Sequence, residues 1–329
     1  MMETAESKNP ILKVDALRSY FYLRGGTLKA VDNVSFEVIP GELIGIVGES
    51  GCGKSVLAHS LMRLLKTPPA ICSGRIEFDG KDLLKLSKNE MRKIRGSRIS
   101  MIFQDSLVAL NPVLKIGRQI AETILLHQNK TWAEAIKRSM ELLEIMNIPN
   151  PEKRINQYIY QLSGGMRQRV MIAMGLSCQP DILLADEPTT ALDVTTQAQI
   201  LELIKEMNQQ LGTAVILITH DLGIVAGYTQ RVLVFYAGKI METAPTRTIF
   251  KKPWHPYTIG LIGAVPRLTE TDASELVNIP GAPPSLINLG EGCAYSSRCF
   301  KAEGICSKET PELREIERGH SVSCFFPNR

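Results

Sequence analysis

No run in this sequence is apolar for long enough to cross a bilayer. The most apolar stretches, Leu43–Val47 and Ala214–Thr219, last five or six residues, against the roughly 20 that a spanning helix needs. The opening MMETAESKNP lacks the basic-then-apolar layout of a secretory signal, so a cytosolic address is expected. Aromatic residues are scarce at 6%, and neither sign of charge dominates: 38 basic against 34 acidic residues leave a net charge of +4. That balance falls short of dedicated nucleic-acid binders and names no partner by itself. There are no internal repeats and no low-complexity tracts. What is left, 329 residues of which 44% are hydrophobic and 22% charged, favours about two domains with a sizeable buried core. It excludes a disordered chain or a disulfide-stapled miniature.

Cysteine is sparse and unevenly placed. Three of the seven are scattered, whereas Cys293, Cys299, Cys306 and Cys324 crowd the C-terminal end. In a reducing compartment such a cluster points to metal binding rather than to disulfides. The spacing lacks the tight CxxC pairs typical of structural zinc, yet four thiolates still make a tetrahedral site.

Residues 34–38 and 41–47 read as two strands separated by the Pro40-Gly41 turn, the second feeding a glycine-rich loop. Leu57, Leu61, Leu64 and Leu65 then recur at helical spacing over 54–66, until Pro68-Pro69 stops the pattern. From about 105 to 178 the signal is mostly helical, with Ile136, Met140, Leu143 and Met146 as an expected apolar stripe. Strands at 182–185 and 214–219, joined by a helix over 195–211, give the crossover of a parallel sheet. A hairpin over 232–242 is expected to be the last, and the Pro- and Gly-rich 279–284 to be a linker or rigid turn.

The loop Gly48-Glu49-Ser50-Gly51-Cys52-Gly53-Lys54-Ser55 fits GxxxxGK[ST] and lies between a buried strand and a helix. Its glycines let backbone amides curl around phosphate oxygens, Lys54 neutralises β and γ charge, and the Ser55 hydroxyl is placed to ligate Mg²⁺. Cys52 reads as a spectator in a small-residue slot. Ile182-Leu183-Leu184-Ala185-Asp186-Glu187 delivers two carboxylates at the C-terminal end of a strand, where open α/β sheets place ligands. Neighbours on a strand point apart, so Asp186 can face the metal while Glu187 faces an attacking water. A third element, Leu162-Ser163-Gly164-Gly165-Met166-Arg167-Gln168, opens a helix with free amides. Ser163, Gly164, Gly165 and the helix N-terminus make a second anion site.

With the glycine loop, LSGGMRQR, LLADEPTTALD and LITHD in this order, the chain resembles the ATP-binding subunit of an ABC transporter over residues from about 10 to 245. The resemblance implies an α/β, ABC-type P-loop ATPase core with a helical subdomain at about 105–178 and an antiparallel β subdomain. It implies ATP and Mg²⁺, held by 48–56 with Ser55, Gln104 and Asp186 on the metal. It implies a head-to-tail pair of ATPase subunits, in which Ser163, Gly164, Gly165 and Asp193 reach the partner's ATP. Glu187, His220 and Gln104 are then the catalytic set: His220 meets the γ-phosphate and the attacking water, and Gln104 links metal and γ-phosphate to the helical insertion and membrane subunits. Phe21 is the expected adenine-stacking aromatic, with Tyr20 and Tyr22 as alternatives. Val56 stands where the family usually has Ser or Thr, and TALD replaces the commoner SALD; neither change removes a catalytic group.

Beyond 245, Trp254-His255-Pro256-Tyr257-Thr258, Val265-Pro266, the 279–284 segment and the four cysteines resemble the C-terminal extension of oligopeptide and dipeptide importer ATPases, which nickel importers share. The implied domains are 1–245 and 246–329. The implied partners are a second, similar ATPase, two transmembrane permeases and an extracytoplasmic substrate-binding protein, with the chain peripheral on the cytoplasmic face of a prokaryotic membrane; nucleic acid is not among them. By the same resemblance Cys293, Cys299, Cys306 and Cys324 hold a [4Fe-4S] cluster in preference to zinc, and His255 is a packing or capping residue. A non-transport ABC ATPase of repair or regulation is the alternative of a different class.

Overall fold

The computed structural model describes residues 9–190, 192–265 and 279–328. Pro266, of the Val265-Pro266 pair, lies outside them. The chain forms two compact units, one comprising Val38–Leu43 and Lys85–Ile216 with the residues before Leu12, the other Leu12–Glu37, Ile44–Leu84 and Leu217–Arg329.

In the first unit the strand Ile182–Asp186 is buried along all five residues. It pairs in parallel with Ile99–Ile102, Ile99 opposite Ile182 and Ile102 opposite Ala185. Two-sided burial is why these strands read as continuous apolar runs rather than as alternating ones. The helix Val194–Leu211 follows, capped at its start by Asp193 and stopped at Gly212, whose φ of 67° is left-handed. The helical stretch expected at about 105–178 is present as Ile116–His127, Trp132–Ile145 and Gly164–Leu176 with shorter turns between them. The expected apolar stripe holds at Leu143 and Met146, both fully buried, and is rotated at its start. Ala135, Ser139, Leu142 and Leu143 are the buried residues of Trp132–Ile145, while Ile136 and Met140 are only half-buried. Ala135 and Ser139 are small enough for close approach, and the Ser139 hydroxyl donates to the Ala135 carbonyl at 2.7 Å, so it enters the core without an unpaired donor.

The second unit carries an antiparallel sheet in the order Gly26–Val38, Leu12–Leu23, Ala70–Phe78, Lys81–Asp82. Leu12 lies opposite Phe78 and Phe21 opposite Ala70, with a register shift between Asp15 and Arg18. Leu43–Val47 pairs in parallel with Arg231–Tyr236, from Ile44 opposite Arg231 to Val47 opposite Val234. Arg231–Tyr236 turns through Ala237-Gly238 into the antiparallel Lys239–Pro245. This hairpin is not the last: His320–Val322 pairs with Lys239–Pro245, and Arg314–Glu317 pairs with His320–Val322. Neither strand exceeds four residues, too short for a periodicity reading. The helix after the glycine loop spans Lys54–Leu61 instead of continuing to 66, because Arg63 takes a left-handed φ of 50° and its guanidinium donates to the Leu83 carbonyl at 2.8 Å. Beyond 245 the chain packs Tyr257 and Tyr295 into a core with Val47, Val232, Val234 and Tyr236.

Candidate functional site

The glycine loop is shaped by close approach. A Cβ on Gly48 would collide with the Phe235 carbonyl, and one on Gly53, whose φ is 109°, with the Ala30 carbonyl; only glycine fits both. The loop is tied to its surroundings by the Gly238 amide donating to the Cys52 carbonyl at 2.8 Å. Lys54 begins the helix, 5% exposed, with Nζ donating to the carbonyls of Gly48 at 2.7 Å and Glu49 at 2.9 Å. This is a narrow cradle of backbone groups with one cation at its lip, the donor set a polyphosphate needs. Cys52 is buried and burial pushes its thiol up. It stays protonated near neutrality, in keeping with a spectator.

Gln104, Ser163, Asp186, Glu187 and Asp193 lie in the first unit, His220 in the second. Asp186 ends its strand 2% exposed. Glu187 follows in a left-handed conformation, φ 46°, which a non-glycine residue adopts at a cost and which aims its side chain away from the strand's alternation. Glu187 Oε2 accepts from Gln104 Nε2 at 2.8 Å and from the Thr190 hydroxyl at 2.9 Å. Two residues singled out separately in the sequence are thus brought together. Ser163 is the N-cap of Gly164–Leu176 and accepts from the Met166 amide. A Cβ on Gly165 would come within 2.6 Å of Thr196 Cγ2, so this glycine is required for packing as well as for open amides. Gly164, Arg167 and Gln168 line a cleft of about 490 Å³ together with Gln104 and Thr190. Asp193 accepts from the Thr196 amide at 2.9 Å, and that amide holds its carboxyl below the usual range.

His220 stands exposed at the end of Ala214–Thr219, followed by Asp221, which caps Leu222–Tyr228. Of the three adenine candidates, Tyr20 has its hydroxyl committed to Asp32, Phe21 is half-buried and Tyr22 is 54% exposed. His255 caps Pro256–Gly263, its Nδ1 accepting from the Tyr257 amide at 3.0 Å, which is the capping role read from the sequence.

The model for ABC transporters matches residues 31–190, and that for the oligopeptide/dipeptide transporter C-terminal region matches 241–306. The dipeptide transport ATP-binding protein of Bacillus subtilis is 49% identical over 97% of this chain and 95% of its own length. The oligopeptide transport ATP-binding protein of Salmonella typhimurium is 46% identical over 99% and 96%. This chain belongs to the ATP-binding proteins of ABC transporters. A dimeric ATP-binding cassette in a post-hydrolysis state with ADP and Pi matches with a TM-score of 0.65 at 28% identity, covering 72% of this chain and 99% of that one. As an ABC ATPase the chain hydrolyses ATP, and Mg²⁺ accompanies ATP in that family. No helix among the described residues is long and apolar enough to cross a membrane, consistent with an ABC subunit peripheral to its permeases.

Cys293, Cys299, Cys306 and Cys324 line one small cavity and all are free. No group of three or more His, Cys, Asp or Glu that could hold a metal ion occurs among the described residues, so the arrangement of the four thiols does not by itself support the expected metal site. Burial pushes the Cys293 thiol up to about 11 and raises Cys299 and Cys324 as well.

Two residues that touch the glycine loop escaped the sequence reading. The Glu49 amide donates to the Tyr257 hydroxyl at 3.0 Å, and Arg298 donates to the Glu49 carboxylate. They lie 208 and 249 residues further along the chain, and no motif spacing connects them to the loop.

Proposed function

We propose that this chain is the ATP-driven subunit of an importer of dipeptides or oligopeptides. The observation that carries the reading is the match of 241–306 to the oligopeptide/dipeptide transporter C-terminal region, supported by relatives named for dipeptide and oligopeptide transport. Lys54 and the amides of 48–56 bind the triphosphate, Ser55, Asp186 and Gln104 hold Mg²⁺, and Phe21 stacks on adenine. Glu187 is the general base for the attacking water, and His220 orients that water and the γ-phosphate. Ser163, Gly164, Gly165 and Asp193 serve the nucleotide of a second, similar but different ATPase, and the pair works two permeases fed by an extracytoplasmic binding protein from the cytoplasmic face. Transport of labelled dipeptide, oligopeptide and Ni²⁺ in cells with and without the intact chain tests this. Chain-dependent peptide uptake is expected, whereas chain-dependent nickel uptake without peptide uptake would overturn the peptide assignment. Co-purification with nucleic acid instead of permeases would overturn transport altogether.

For the cysteine cavity we infer an iron–sulfur cluster of the [4Fe-4S] type as a structural staple of the extension, zinc being the lesser fit. The reading is supported by four thiols lining one cavity, which they share with His255 and Lys301. A second support is a repeated arrangement in which backbone amides two residues ahead, those of Tyr295, Lys301 and Phe326, stabilise the anionic forms of Cys293, Cys299 and Cys324. Iron, acid-labile sulfide and zinc are to be quantified in anaerobically purified protein. Four irons per chain are expected, and absence of iron sinks the cluster.

A further inference from the structure

The glycine loop contains a contradiction in charge. Its second residue, Glu49, is a carboxylate on the very segment that must receive a triphosphate, and an unscreened like charge there opposes binding. The C-terminal segment answers it. Arg298 donates from Nη1 to Glu49 Oε2 at 2.7 Å and from Nη2 to Oε1 at 3.0 Å, the two-pronged pairing that guanidinium alone provides.

Arg298 itself is fixed from several sides. Its Nε donates to the Pro280 carbonyl at 2.8 Å and its Nη1 also to the Tyr236 hydroxyl at 3.2 Å. The rings of Tyr236 and Tyr295 lie 5.9 and 6.0 Å from the guanidinium carbon, and the residue is 7% exposed. A guanidinium keeps its proton at any pH at which the chain is folded, so the cation is permanent. Tyr257, fully buried and 4.5 Å from the Tyr236 ring, holds the backbone of the same residue through the Glu49 amide.

We propose that Arg298 and Tyr257 are positioning residues of the phosphate loop: Arg298 cancels the charge that Glu49 would present to the triphosphate, and Tyr257 fixes the loop's entry. Arg298 directly precedes Cys299, so the segment that lines the thiol cavity also supplies the loop's counter-charge. The proposal rests on the reading of 48–56 as the nucleotide loop.

The test uses the full chain, with MgATP and MgADP affinities measured by displacement of a fluorescent nucleotide and ATPase kinetics run alongside. Arg298→Ala is expected to weaken ATP binding roughly tenfold or more, with a smaller loss for ADP, and to raise KM while kcat at saturating ATP changes less than about threefold. The decisive variant is Arg298→Ala with Glu49→Gln, which removes the charge being cancelled. Affinity returning to within about threefold of wild type supports charge cancellation, whereas a double variant as weak as Arg298→Ala overturns it. Glu49→Gln alone leaves Arg298 and its other bonds in place and reports even if Arg298→Ala does not fold. ATP binding at least as tight as wild type is expected, and weaker binding overturns the proposal. Tyr257→Phe should raise the KM for ATP severalfold, and an unchanged KM removes Tyr257 from the assignment. If the wild-type chain itself retains no ATP, the nucleotide reading fails rather than the pairing.

Discussion

Glu187 and Lys54 are supported in opposite ways. Glu187 sits in a unit whose polar side chains are satisfied largely by neighbours three residues away, Thr190 on its carboxylate, Met166 on Ser163 and Thr196 on Asp193, with Gln104 the one partner drawn from another motif. The loop that carries Lys54 is held from far along the chain, by the Gly238 amide, the Tyr257 hydroxyl and Arg298. The contrast teaches that a set of capped and paired polar side chains can be encoded mostly within short motifs, whereas the shape of the glycine loop draws on packing assembled from the whole unit.

The largest effect expected is on the compact side. Glu187→Gln removes the carboxylate proposed above as the general base and should cost about 10² to 10⁴ in kcat while leaving ATP affinity intact, measured by single-turnover phosphate release and equilibrium binding. Unchanged turnover would sink the base assignment. The distributed side is expected to fail through stability instead. Glu242 is fully buried and its carboxyl oxygens accept from the Trp254 amide at 2.7 Å and the His255 amide at 2.9 Å and meet His320 Nε2 at 2.7 Å. Glu242→Ala leaves these groups without a partner and should destabilise by about 3–5 kcal/mol in urea unfolding.

A smaller effect follows from His255, where burial lowers the imidazole from 6.5 to about 4 despite the opposing Glu242. The unfolded chain then binds a proton that the folded one refuses between these values. Stability is full above 6.5 and falls as the pH drops towards 4, by at most about 3 kcal/mol. His255→Asn, which keeps a side-chain cap, should flatten that slope in thermal unfolding between pH 7 and 4; an unchanged slope would assign it to other groups. Smallest of all, Cys52→Ala should leave ATP affinity within about twofold, since the loop's form comes from backbone contacts. A larger loss would make the thiol a participant.

Much of this is legible in the sequence alone. The glycine loop, the Asp186-Glu187 strand end and the Ser163 helix start announce themselves because one short segment carries both the local fold and the reactive groups. The helical stripe came out a turn-fraction off, since Ser139 is polar by type but satisfied within its own helix, and periodicity weighs type alone. The strands Arg314–Glu317 and His320–Val322 were invisible, because pairing with Lys239–Pro245 rather than intrinsic preference makes them strands. Arg298 could not be found by spacing, because its partner is fixed by tertiary packing.

Those two late strands also settle how a sheet ends. Without them the outer edge of Lys239–Pro245 would stand open to any extended peptide that passed, a hazard for a subunit of a peptide transport system. His320–Val322 occupies that edge, and the new margin, Arg314–Glu317, is four residues long with three charged side chains and little burial. A margin so short and so charged is a poor template for further strand addition, which protects the chain against joining its own kind edge to edge.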